Sequence, residues 1–147
     1  MRPLPCIVLY ACASMLAGCS CEVTYADVSH HEEFRKVVGS RYEVIGEVDA
    51  YGIGRHSRAP ADYLTLIPRP GIGGSEVVFE APVPKGATVT VTKVFQTNRI
   101  VFESGITLEV ELHGAGLPLR GWTLIDLNRG SEGPGPAGLN PEIYKKL

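Results

Sequence analysis

The chain has 147 residues, 44% hydrophobic and 20% charged, with a formal net charge of −2 at pH 7. That length suits one domain. Acids and bases are mixed and no basic patch stands out, so a nucleic-acid partner, which needs one to meet a polyanionic backbone, is not expected.

At the amino terminus Arg2 precedes Ile7 to Leu16, a run that is apolar apart from Ser14. A bilayer-spanning helix needs about 20 apolar residues, so the run has the length of a signal-peptide core instead. It ends in Leu16-Ala17-Gly18-Cys19, with two small residues before a cysteine. Together these features resemble the lipobox of bacterial membrane lipoproteins. The resemblance covers only about the first 20 residues. It implies that residues 1–18 are a signal peptide removed before Cys19, and that the Cys19 thiol carries a diacylglyceryl group, with further acylation, such as palmitate, at the new amino terminus. It also implies a protein held in the cell envelope by its lipid. Ser20 rather than Asp after the cysteine implies, in many Gram-negative bacteria, the outer membrane facing the periplasm. An ordinary secretory signal is the alternative reading.

Of the four cysteines, Cys6 and Cys12 leave with the signal and Cys19 is consumed by lipid. Cys21 is then the one remaining thiol, which rules out an internal disulfide and reads as a bystander beside the membrane.

Residues 19–28 read as a tether. Ser29-His30-His31-Glu32 is a helix-start signal, with Ser29 as cap and Glu32 closing a capping box. Acids Glu32 and Glu33, bases Arg35 and Lys36, and the stop at Gly39 agree with a helix dipole, and Phe34, Val37 and Val38 form the apolar face. From Arg41 the period becomes two, with Tyr42, Val44, Gly46, Val48 and Ala50 on one side. Further strands are expected at 63–67, 76–81, 87–97, 100–103, 106–112 and 122–127. A bulge near Val94-Phe95 would restore the phase of the longest.

This pattern predicts an all-β domain over 29–127 with one short leading helix. Val83-Pro84-Lys85-Gly86 running into Ala87–Val91 loosely resembles a strand entry of SH3-like barrels, which favours a small barrel over a two-sheet sandwich. Residues 128–147 read as a Gly/Pro-rich tail. It ends in a helical turn capped by Asn140 and Pro141, with Ile143, Tyr144 and Leu147 placed to dock on the domain.

Catalytic and metal motifs are not found. His30-His31-Glu32-Glu33 lacks a second cluster to complete a metal site and reads as a solvated helix start. His56 and His113 read as exposed loop positions. Gly71-Ile72-Gly73-Gly74-Ser75 lacks the ending of a phosphate loop and reads as a turn. Glu109 and Glu111 share one strand face, read as a wet sheet surface. The loop Gly52 to Asp62, with Arg55, His56 and Arg58, offers a local positive site but reads first as a solvated hairpin loop.

Neither a cofactor nor a metal is therefore expected, and the chain is not expected to be an enzyme. The preferred function is a lipid-anchored structural or protein-interaction module with an unidentified envelope partner. The alternatives are an immunity or inhibitor lipoprotein against a toxin or wall hydrolase, and an enzyme or metal binder with a site assembled from loops.

Overall fold

The computed structural model describes residues 22–99, 105–117, 121–135 and 138–147. Where apolar and polar residues alternate, the chain forms strands, and the described residues make an all-β fold. The strands are β1 (Tyr25–Asp27), β2 (Arg41–Val44), β3 (Val48–Ile53), β4 (Tyr63–Pro68), β5 (Val77–Val83), β6 (Thr88–Thr97), β7 (Ile106–His113), β8 (Trp122–Asp126) and β9 (Tyr144–Lys146). They form one sheet in the order β5-β3-β4-β8-β7-β6-β2-β9, with β1 also on β6. The sheet is mixed, because β4 and β8 run parallel, and it is not closed, because its end strands β5 and β9 do not pair with each other. The expected strand at 100–103 lies outside the described residues.

Strand β6 organises the rest. Val89 and Val91 face the core, and a register shift between Val91 and Lys93 inserts the expected bulge. The Thr92 hydroxyl occupies it, donating to Glu109 O (3.1 Å). The shift returns Val94 to the core, fully buried, and sends Phe95 to the opposite face.

The strand expected from Tyr42 to Ala50 breaks at Ile45-Gly46-Glu47. Val44 N donates to Ala87 O and Gly86 N to Val44 O, each at 2.8 Å. The β2–β6 ladder thus hands over to the β3–β5 ladder at a corner. Gly46 is needed there, since a Cβ would sit 2.8 Å from the Ile143 backbone.

Edge strand β5 carries Pro82 opposite Asp49. Gly54 N bonds Glu76 O on the β5 side, whereas Asp62 N bonds Ile53 O on the β4 side. By alternation Asp49 turns its peptide groups to β4, so the missing N–H of Pro82 faces the open edge, where no ladder bond is lost and a pairing strand finds one donor fewer.

Two expectations for the flanks need correction. Residues 29–38 do not form a helix. They form a string of turns in which Phe34 and Arg35 donate to His31 O, and Val37 and Val38 to Phe34 O. These bonds gather on two acceptors instead of propagating as a ladder. The cause is β6, which holds both ends of the segment: Val28 N donates to Val94 O (2.9 Å) and Gly39 N to Val91 O (2.8 Å). The Ser29 hydroxyl, expected to cap, instead accepts from Val94 N (2.9 Å). A segment this short gains little from helix propagation, so these contacts prevail. Its apolar face packs as expected, with Phe34 buried and Val37 and Val38 against the core. Replacing Ser29 with alanine should cost about 1–3 kcal/mol, because it orphans the buried Val94 N–H. A lower urea midpoint would register the loss, and an unchanged midpoint would show that the hydroxyl is dispensable.

Residues 25–27, placed in the tether, are strand β1, paired in the register Tyr25↔Thr97 to Asp27↔Phe95. The helical turn at the carboxyl end is present, with Asn140 Oδ1 accepting from Glu142 N (3.0 Å) and Asn140 O from Ile143 and Tyr144. It then extends into β9, which pairs with β2, and Tyr144 is buried in the core while Leu147 stays exposed.

Candidate functional site

Alternation along each strand gives the sheet a second face, turned away from the main core. Lys93 and Phe95 of β6, Thr107 and Glu109 of β7, Trp122, Leu124 and Asp126 of β8, and Tyr63 and Thr65 of β4 share it, as the registers Phe95↔Thr107, Thr107↔Asp126 and Tyr63↔Trp122 require.

Three aromatic rings from distant parts of the chain meet on this face. Phe95 and Trp122 are stacked with centroids 5.8 Å apart and planes 16° apart. Tyr25 sets its edge to both, at 5.9 Å from Phe95 and 6.1 Å from Trp122. Strands β1 and β8 are separated by β6 and β7, a span of about 14 Å at ordinary strand spacing. Contact between their side chains therefore requires the sheet to curl toward this face. Phe95 is buried, whereas Trp122 is 48% exposed, so the cluster has a rigid base and an open indole.

The curl also shelters charge. Lys93 Nζ lies 5.9 Å over the Phe95 ring and 3.5 Å from Glu109 Oε2, which is buried and accepts no hydrogen bond. Glu109 is thus not the wet position that alternation suggests, while Glu111 is exposed as expected and lies 3.6 Å from His113. Thr107 Oγ1 donates to Asp126 Oδ1 (2.6 Å). Burial is the main influence raising the Tyr63 hydroxyl above its ordinary value, with the nearby Tyr25 and Asp126 adding to it and Arg99 opposing.

A second polar group lies at the far end of the same face. Arg69 donates from Nε to Asp49 Oδ2 (2.9 Å) and from Nη2 to Asp49 Oδ1 (3.2 Å), and Glu47 bridges Arg69 (3.6 Å) and Lys85 (2.8 Å). The hydrogen bond and charge of Lys85 hold the Glu47 carboxyl below its usual range. This group ties the β2–β3 corner to β4 and the β5–β6 turn, and each charge in it has a partner.

Cys19, the sequence-designated lipidation residue, lies outside the described residues. His30 and His31 are exposed with their rings edge to face at 4.6 Å, and among the described residues no three or more His, Cys, Asp or Glu side chains gather to hold a metal. Arg55, His56 and Arg58 sit in the exposed hairpin loop between β3 and β4, where Arg58 N donates to His56 Nδ1 (3.4 Å). The loop at Gly71 packs against the Tyr51 hydroxyl, which donates to Glu80 Oε1 (3.2 Å). The aromatic cluster was not singled out from sequence. Its one available signal is that Trp122 is the chain's sole tryptophan, at the start of an otherwise ordinary strand.

Chemically the cluster offers stacking and apolar contact through an exposed indole. Comparison of the chain with protein-family models, with curated proteins and with solved structures finds no match.

Proposed function

We propose that this chain is a bacterial membrane lipoprotein, anchored through Cys19 in the cell envelope, whose domain is a non-catalytic structural or protein-interaction module. The observation that carries the reading is Leu16-Ala17-Gly18-Cys19 standing directly after the apolar run from Ile7 to Leu16. Ser20 after the cysteine favours the outer membrane, with the domain in the periplasm and an envelope protein as partner. The domain is a small, SH3-like barrel in this reading. The hydrogen-bonded corner at Val44, where two ladders join across one bend, and the single core fed by β2 through β9 support it.

Cys19→Ser is the direct test. Labelled palmitate should be incorporated by the wild-type chain and absent from the variant, which should collect in the soluble envelope fraction or as uncleaved precursor. Continued labelling of the variant would place the lipid on another residue and remove Cys19 from the anchor.

A further inference from the structure

The aromatic cluster stands where the chain leaves the domain for its anchor. Thr24 N donates to Asn98 Oδ1 (3.2 Å), and Asn98 Nδ2 donates to Glu22 O (3.0 Å). This clamp holds the incoming chain against the domain as far as Glu22. Between Glu22 and Cys19 stand only Ser20 and Cys21, so the chain between them can span about 10 Å at most. Just past the clamp, the Tyr25 ring lies 6.1 Å from the exposed Trp122.

We infer that Tyr25 and Trp122 form an interfacial contact with the bilayer that holds the Cys19 lipid, so that the partner of this face is a lipid surface. The inference rests on Cys19 being acylated. Given that anchor, the tether is too short for the domain to stand clear. The headgroup layer on each side of a bilayer is about 5–7 Å deep, a depth the open indole can enter while its stacked partner Phe95 stays in the domain. Indole and phenol rings favour this layer because one end is apolar and the other a hydrogen-bonding group. Charge contributes little net attraction. On this face Lys93 is paired with Glu109, and the exposed Asp27 stands opposite Phe95 in the β1–β6 register. The contact therefore depends on the rings and on the length of the tether.

Because Trp122 is the sole tryptophan, its fluorescence reports on this face alone. The full-length processed lipoprotein would be reconstituted into vesicles of phosphatidylethanolamine with a minority of phosphatidylglycerol, part of the lipid being brominated high on the acyl chains. The mass of the amino-terminal peptide from the same sample establishes whether Cys19 carries lipid. Trp122 emission should shift to the blue, lose most of its intensity to the brominated lipid and become shielded from acrylamide. In an Asn98→Ala variant, freed of the clamp, quenching by the lipid should fall while the Cys19 lipid remains. An acylated protein whose Trp122 stays unquenched and open to acrylamide would overturn the inference, leaving this face to a soluble partner and the anchor intact. Undiminished quenching in Asn98→Ala would overturn the clamp's role. A sample with no lipid on Cys19 would overturn both the anchor and the contact.

Discussion

Deleting residues 139–147 is expected to abolish cooperative folding. The deleted segment contributes Leu139 and Tyr144 to the core, and it supplies β9, the neighbour of β2. Truncating one large buried side chain costs about 2–5 kcal/mol, and a domain of this size has about 5–15 kcal/mol in total. Two such losses, with the ladder bonds of β9 and the Ile143 O acceptor at the β2–β3 corner, reach that total. Loss of the near-ultraviolet circular dichroism signal and of a sharp melt would register the effect. An intact cooperative melt would show that β9 only decorates the sheet.

The milder variant Tyr144→Ala should cost about 3–5 kcal/mol, whereas Tyr144→Phe should be close to neutral. The reason is that the Tyr144 hydroxyl is buried against Ser131 and neither oxygen has a well-formed hydrogen bond. Burial pushes the Tyr144 ionisation well above its ordinary value, with Ser131 opposing only in part. The folded state therefore holds this proton more tightly than the unfolded chain. Its contribution is intact below about pH 10, where a free tyrosine titrates, and is lost as pH rises beyond that. Tyr144→Phe should accordingly be less sensitive to alkali than the parent.

The carboxyl end marks the limit of what local sequence carries. Asn140 and Pro141 announce a turn, and the turn forms. Nothing in Tyr144-Lys145-Lys146 announces a strand, because three residues hold too little alternation, and the decision is made by the unpaired edge of β2. The leading segment behaves alike. Ser29 has the chemistry of a cap, but its hydroxyl accepts from whichever N–H is presented, and the bend into β6 presents Val94.

Strands with one buried face were readable from period alone, Ile106 to Leu112 most clearly, because each inward residue is apolar and each outward one polar. The candidate site could not be read in that way. Residues 25, 95 and 122 are joined by no period and meet only because the sheet curls. That same curl turns Glu109 from a wet position into a sheltered one beneath Lys93.

Gly71→Ala is expected to lower stability by about 2–4 kcal/mol, from two causes that experiment can separate. Gly71 has a φ of +79°, a conformation that costs an L-residue about 1–2 kcal/mol. An added methyl would also collide with the Tyr51 hydroxyl. Tyr51 has little room to retreat. It is 1% exposed, its strand neighbours are Thr65 and Glu80, and its hydroxyl is committed to Glu80 Oε1. Removing that hydroxyl with Tyr51→Phe takes away the worst of the collision, although ring carbon Cζ would still lie 2.7 Å from the methyl, and it leaves the backbone strain in place. The alanine should therefore cost less in the phenylalanine background, with a coupling of about 1–2 kcal/mol read from urea unfolding of the four proteins in the cycle. An equal cost in both backgrounds would show that the methyl clears the hydroxyl. The glycine would then serve only to turn the chain after Pro68, not to let residues 69–76 close over Tyr51.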